Sequence, residues 1–195
     1  MGREVVAERG IWTAKKRYAL NVWDSEGIRY EEPKLKIMGI ETTRSSTPAI
    51  VREKLKNAIR LILTQDEKDI QKYVAEFKEE FYKCEPEEIA FPRGVSNLEK
   101  WESSSEIYIS ATPIAVKGSL IYNYYIKKLN LEEKYEKIQQ GDKIKFIYLK
   151  EENPISGMKG DKVISFPASI PKELDIHRFV DYNMQFTKSF LDPLE

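Results

Sequence analysis

The clearest alternation of apolar and polar positions lies over residues 15–23, where Tyr18, Leu20 and Val22 would share one face of a β-strand. Turn-forming residues follow as DSEG at 24–27, and the chain then returns as IRYEEPKLKIMG, with Pro33 typical of an edge strand or a bulge. We therefore predict a β-hairpin whose first strand opens on Lys15-Lys16-Arg17. Three adjacent cations at a strand start must face either water or an anion.

After residue 46 the apolar residues recur with the spacing of a helix and no longer alternate with polar ones. Thr47 and Pro48 predict a helix start, with Thr47 as N-cap and Pro48 in the first turn. One apolar face follows at Val51, Leu55, Ala58, Ile59 and Ile62. A second helix is predicted after TQDE, with its apolar face at Ile70, Tyr73, Val74, Phe77 and Phe81. The short break at 64–66 indicates a helical pair.

The remainder of the chain mixes both periods. Residues 85–111 predict irregular structure with one or two short strands, and Thr112-Pro113 predict another helix start. GDKIKFIYL predicts a strand, and a glycine-containing loop leads from it to a possible partner strand, DKVISFP. A final helix is expected over DIHRFVDYNMQFTKSFL. The predicted fold class is α+β: a β-hairpin followed by a mainly helical region with a small β element.

Composition limits the classes of function without selecting one. The 195 residues include 32 Lys plus Arg and 32 Asp plus Glu, so a net charge of zero favours no charged partner. One Cys excludes an internal disulfide, and one Cys with one His excludes a Cys/His zinc site within this chain. No apolar run approaches the roughly 20 residues of a membrane span.

Charge is nevertheless separated along the chain. Residues 34–60 contain seven basic and two acidic residues, whereas 66–88 contain nine acidic and four basic. Arg52, Lys56 and Arg60 form a basic stripe at i, i+4 and i+8 on the first helix, opposite its apolar face. Either a solvated helix face or an anion-binding surface accounts for such a stripe.

No catalytic constellation is apparent. Neither glycine fingerprint for phosphate binding occurs. A two-metal phosphoryl-transfer site needs carboxylates that converge from strands, and the best candidates, Asp24 and Glu26, belong to a predicted turn. The sequence predicts no catalytic residue and no metal ligand. The basic cluster before Tyr18 stays the strongest functional signal, because Lys and Arg bind nucleic-acid phosphates without reading sequence.

A family resemblance adds to this signal. It is carried by TAKKRYALNVWDSEGIRYEEPKLKIMGIETTRSSTP, and it continues through VKGSLIYNYYIK, GDKIKFIYL, GDKVISFP and TKSFLDPLE. In this order the segments resemble the region after the catalytic palm motifs in the replicative family B DNA polymerases of T-even-like bacteriophages. The resemblance spans essentially the whole chain and is weakest at 85–111. It implies that residues 1–46 are the C-terminal edge of the palm and residues 47–195 the thumb.

The resemblance also implies which residues contact DNA. The KKRY element of the family holds the primer-template duplex near the primer terminus, which assigns that role to Lys15, Lys16, Arg17 and Tyr18. Arg44 stands where the family has a basic minor-groove reader. The match to the thumb element near the DNA backbone comprises Lys117, Gly118, Tyr122 and Asn123.

Other parts of the family pattern do not occur in this chain. The DxxSLYPS and DTD motifs, whose Asp residues hold two metal ions, are absent from it, as is the apolar-aromatic sliding-clamp tail that would follow Pro193-Leu194-Glu195. The resemblance implies partners in the primer-template duplex and in an N-terminal polymerase portion that binds Mg²⁺, in the cytoplasm of an infected bacterium. The chain itself would need no cofactor.

We therefore expect a duplex-binding part of a DNA-directed DNA polymerase that is inactive alone, either an excised fragment or one piece of a split enzyme. Two alternatives stay open. One is an autonomous double-stranded DNA-binding module without enzymatic activity. The other is a protein-interaction scaffold derived from a polymerase.

Overall fold

The computed structural model describes residues 4–155 and 162–195. The chain forms two compact units: a first unit of Met1–Lys83 with Ser189–Glu195, and a second unit of Cys84–Lys188. Each unit contains a small antiparallel sheet together with helices, which confirms the α+β fold class. The division into palm edge and thumb after residue 46 stays a prediction.

The sheet of the first unit has three strands in the order β1-β2-β3. They are β1 (Val5–Ala14), β2 (Arg17–Ser25) and β3 (Ile28–Met38), and β2 and β3 form the predicted hairpin. The turn between them is closed by Asp24, whose Oδ1 accepts a hydrogen bond of 2.9 Å from the Gly27 N–H. This contact confirms the turn chemistry expected from DSEG.

The strand β1 was not predicted, and its presence corrects the expected position of the basic cluster. Its pairing with β2 shifts register between Val6 and Ala7, between Ala7 and Arg9, and between Trp12 and Ala14, so its sequence shows no regular alternation. Because Ala14 pairs with Arg17, Lys15 and Lys16 form the turn between the two strands. The strand β2 therefore opens on Arg17 and not on three neighbouring cations.

Two α-helices follow the sheet in the first unit. The helix α1 (Ala49–Thr64) buries Val51, Leu55, Ala58 and Ile59 as predicted, while Leu63 is buried in place of Ile62. The helix α2 (Glu67–Phe81) packs against α1 and begins at Asp66, whose side chain accepts a hydrogen bond from the Asp69 N–H. A small core of Ala19, Ile40, Ile59 and Leu63 joins the sheet to α1.

The expected Thr47 cap of α1 is wrong by one residue. Pro48 has an extended backbone (ψ 143°) and occupies the N-cap position, where it offers no side-chain hydrogen bond. The helix α5 repeats this arrangement, with Pro113 instead of Thr112 as its N-cap. The hydroxyl of Thr112 donates a hydrogen bond of 2.6 Å to the carbonyl of Ile109, which precedes it in the chain. The first N–H groups of both helices therefore receive no bond from the N-cap side chain.

The second unit is built on the strands β4 (Phe91–Gly94), β5 (Lys143–Tyr148) and β6 (Val163–Phe166), in that order. The predicted strand and its partner are thus confirmed as β5 and β6. Part of the predicted loop between them, at 156–161, lies outside the described residues. Residues 85–111 contain β4 and two short helices, α3 (Pro86–Ile89) and α4 (Leu98–Trp101). The helix α5 (Ile114–Lys128) packs against β6.

The final predicted helix begins later than expected. Val180 is extended and forms an isolated bridge with Leu149, so the chain cannot be helical there. Asp181 then caps the helix α6 (Tyr182–Phe186) by accepting a hydrogen bond from the Met184 N–H. A π-helical turn (Thr187–Leu191) and a 3₁₀ turn (Asp192–Leu194) follow. The prediction is confirmed from residue 182, whereas before it only a 3₁₀ turn (His177–Phe179) forms and Val180 interrupts the helix.

One glycine fixes the turn that carries the basic cluster. Gly39 follows β3 with φ +70°, and a Cβ atom added there would lie 2.1 Å from the carbonyl oxygen of Lys16. Only a residue without a side chain allows the backbone after β3 to approach the β1–β2 turn so closely.

We predict that Gly39→Ala destabilises the protein far more than Gly27→Ala. Gly27 also has a positive φ (+85°), but a Cβ there meets nothing within 4 Å. Gly27→Ala therefore serves as the control, and it should lower the unfolding free energy by about 1 kcal/mol through backbone strain alone. Gly39→Ala should cost about 3 kcal/mol or more because the clash is added. Chemical denaturation measures both, and equal losses would show that the close approach does not exist.

Candidate nucleic-acid interface

The turn between β1 and β2 presents two cations at one end of the sheet. Lys15 and Lys16 are both exposed, and Lys16 has the left-handed backbone conformation (φ 64°) that a tight connection requires. Because the turn has only two residues and is backed by Gly39, the two ammonium groups start from a fixed backbone. Their arrangement suits the non-specific binding of phosphates.

Arg17 and Tyr18 continue from this turn into β2. Tyr18 pairs with Trp12 on β1 and with Met38 on β3, so it belongs to the middle strand of the sheet. Arg17 is half-buried, and its Nη2 lies 3.2 Å from Oε2 of Glu41. The guanidinium of Arg17 is therefore directed towards the segment that follows β3.

Glu41 joins the two parts of the predicted interface. While Oε2 contacts Arg17, Oε1 of the same carboxylate lies 3.0 Å from Nη1 of Arg44. Glu41 opens a 3₁₀ turn (Glu41–Thr43), which places it three residues before Arg44 on the same side. The KKRY element and Arg44 are distant in sequence, and this carboxylate holds their guanidinium groups together.

The stabilisation gained from these ion pairs is small. The side chains of Arg17 and Arg44 remain 42% and 55% exposed, against 22% for Glu41. Pairs of such exposure contribute at most about 1 kcal/mol each. A guanidinium has five N–H donors, so both arginines keep donors for a further acceptor. The arrangement therefore orients two cations more than it stabilises the fold.

Sequence reasoning did not single out Glu41. Its spacing to Arg44 is visible in the sequence, but such i, i+3 pairs are common and carry little information. The pairing with Arg17 depends on β3 running beside β2, as their antiparallel register shows. That contact between distant segments is available only from the fold.

The other predicted site residues lie in the second unit, all on α5. Gly118 is buried against β6, where an added Cβ would lie 2.5 Å from Oγ of Ser165. Lys117, next to it, is half-buried, with its Nζ 4.8 Å from the ring centre of Tyr108. Gly118 thus lets α5 approach the sheet of the second unit. Lys117 is the one charged residue among the four predicted site residues on α5.

Tyr122 and Asn123 both bond to the backbone that follows α5. Asn123 donates from Nδ2 to the Ile138 carbonyl and accepts from the Ile138 N–H, each at 2.8 Å. Tyr122 is 1% exposed and donates to the Glu136 carbonyl at 3.4 Å. Burial, with a smaller effect of Tyr135, raises the pKa of Tyr122 to about 12, so its hydroxyl stays protonated. These two side chains fix residues 136–138 against the helix.

The described residues offer neither a metal cluster nor a membrane span. No group of three or more His, Cys, Asp or Glu side chains among residues 4–155 and 162–195 has a geometry that would hold a metal ion. The same part of the chain contains no helix that is long and apolar enough to cross a bilayer.

Comparison with known proteins defines the class. The model of DNA polymerase family B matches residues 3–189, and the chain belongs to that family. The DNA-directed DNA polymerase of Escherichia phage RB69 is 40% identical over 191 residues, and that of Enterobacteria phage T4 is 37% identical over 189. Each match covers 95% of this chain and 20% of the relative. The chain therefore spans about a fifth of these phage polymerases, and the resemblance found in the sequence is confirmed.

Proposed function

We propose that this chain is the part of a DNA-directed DNA polymerase that holds the primer-template duplex, with residues 1–46 as palm edge and 47–195 as thumb. The observation that carries the proposal is the convergence of Lys15, Lys16, Arg17 and Arg44 at one end of the first sheet, with Glu41 between the two guanidinium groups. Four cations on a backbone held by Gly39 form a compact surface for a polyanion.

The four cations have different chemistry for this task. Lys15 and Lys16 are exposed point charges, which suit phosphate oxygens in any rotational position. Arg17 and Arg44 carry planar forks, which suit paired acceptors on a phosphate or in the minor groove, where every base pair presents acceptors in similar places. Tyr18, on the middle strand, would add contact to a sugar. Such a surface binds any duplex sequence, as a replicative polymerase requires.

In the second unit we assign the contact with the DNA backbone to Lys117. Gly118, Tyr122 and Asn123 would support it by packing α5 against β6 and against residues 136–138. Their part in duplex binding is then indirect, through the position of the helix that carries Lys117.

The chemistry of nucleotide addition would lie outside this chain. Two-metal catalysis requires clustered carboxylates, and the DxxSLYPS and DTD motifs that the resemblance assigns to them do not occur in this sequence. We propose that an N-terminal polymerase portion with the Asp motifs is the obligatory partner, and that a sliding clamp binds through a separate tail. The place of action would be the cytoplasm of the infected bacterial cell.

We predict that Lys15→Gln with Lys16→Asn weakens the binding of a primer-template duplex and lowers its dependence on salt. Asn is chosen at position 16 because it tolerates the left-handed conformation. The slope of log K against log[salt] should fall by about 1.8, or about 0.9 for each lost phosphate contact. Fluorescence anisotropy over a salt series measures the slope.

The matched control is Lys68→Gln with Lys72→Gln, which removes two exposed lysines from α2 in the same unit. Its slope should equal that of the unmodified chain. Equal slopes for all three proteins would contradict the assigned role of Lys15 and Lys16. Failure of the unmodified chain to bind any duplex at low salt would support a protein-interaction scaffold instead.

We also predict that the purified chain extends no primer at any concentration of Mg²⁺ and deoxynucleotides. Adding an N-terminal portion that contains the Asp motifs should restore incorporation, which separates a polymerase part from an autonomous DNA-binding module. Incorporation by the chain alone that disappears when one of its own acidic residues is substituted would contradict the proposal. Gel analysis of a labelled primer gives the answer.

A further inference from the structure

A cavity of about 330 Å³ lies at the N-terminal end of α1, separate from the Glu41 ion pairs. Its walls come from the 3₁₀ turn after β3 and from the first two turns of the helix, and the lining residues are Thr42, Ala49, Ile50, Arg52, Glu53 and Lys56. Two members of the basic stripe, Arg52 and Lys56, therefore face a concave surface.

Two polar atoms of the lining residues lack a partner within the described structure. Thr42 is only 2% exposed, and its Oγ1 forms no hydrogen bond. Nε of Arg52 is buried and also unbonded. A buried donor without a partner costs about 1–3 kcal/mol, so native proteins usually pair such a donor with a protein group, an ordered water or an ion. Both atoms can donate a hydrogen bond.

The start of α1 adds further donors. Pro48 occupies the N-cap position without a side-chain cap, so the first N–H groups of this 16-residue helix have no intrahelical partner and receive no hydrogen bond from the N-cap side chain. The helix dipole also favours negative charge at this end. Among the charged lining residues, Arg52 and Lys56 outnumber Glu53, which leaves a net positive cavity.

We infer that this cavity binds a phosphate group, and specifically a backbone phosphate of the DNA duplex. Arg52 and Lys56 would supply charge, the Thr42 hydroxyl and the Ala49 and Ile50 N–H groups would donate hydrogen bonds, and Glu53 would limit the affinity. The assignment to the DNA backbone rests on the proposed function, because the same unit carries Lys15 and Lys16. The assignment to phosphate rests on the cavity alone.

The first test uses inorganic phosphate and the full chain. Titration followed by amide NMR, against chloride at equal ionic strength, should give saturable shifts at Ala49 and Ile50. Arg52→Gln should abolish these shifts and Glu53→Gln should increase the affinity, whereas Arg60→Gln, on the same stripe but outside the cavity, should change neither. Absence of a saturable shift in the unmodified chain overturns the phosphate site.

Thr42→Val separates a binding role of the hydroxyl from a structural one. Since Oγ1 has no partner among the described residues, its removal should leave the melting temperature equal or raise it in the absence of phosphate. Phosphate affinity should nevertheless fall roughly tenfold, because one hydrogen bond to an anion is lost. A lower melting temperature with unchanged phosphate affinity would show a structural hydroxyl and overturn the assignment.

Duplex binding distinguishes a DNA phosphate from a free one. Arg52→Gln should lower the salt slope by about 0.9, while Lys72→Gln should not change it. If the unmodified chain binds duplex and Arg52→Gln keeps the full slope, the assignment to the DNA backbone is wrong even if inorganic phosphate binds. If the unmodified chain binds no duplex, the proposed function fails as well, and the phosphate titration alone decides whether the anion site exists.

Discussion

The close approach of the Gly39 backbone to the carbonyl oxygen of Lys16 is the constraint on which the first unit depends. It brings the end of β3 against the turn between β1 and β2, and thereby sets where the next residues begin. Glu41 follows two residues later and reaches Arg17 from there. A side chain at position 39 would separate these segments, so one glycine determines whether the cations of the turn and Arg44 form one surface.

In that surface the ion pairs orient the side chains of Arg17 and Arg44. The ion pairs of Glu41 with Arg17 and Arg44 are too exposed to contribute much to stability, yet they hold two long side chains in defined positions. The two arginine side chains then lose less conformational freedom when a ligand binds them.

Sequence patterns predicted the parts of the fold whose periodicity is regular. The β2–β3 hairpin and the buried face of α1 follow from alternation and from helical spacing. The strand β1 was not predicted, because its bulges shift the alternation of apolar and polar positions. The helices α1 and α5 begin one residue later than predicted, because Pro48 and Pro113 occupy the N-cap positions.

Less of the candidate site than of the fold could be predicted from sequence patterns. The position of Lys15 and Lys16 in a turn requires β1, and the role of Glu41 requires strand register. Nothing in the sequence marks Thr42 as a buried donor without a partner, since that depends on what surrounds it. Family resemblance supplied the residues that are predicted to contact DNA, and the fold supplied the contacts that place the first-unit residues together.

We propose that this chain holds a duplex at its primer end through the cations joined by Glu41. Hydroxyl-radical cleavage of an end-labelled primer-template duplex, with the chain bound at low salt, shows which deoxyriboses the chain covers. We expect protection of deoxyriboses concentrated within about one helical turn, roughly 10 base pairs, of the primer terminus, and loss of that protection with Lys15→Gln and Lys16→Asn. Protection spread evenly along the duplex, or unchanged in this variant, would contradict the account.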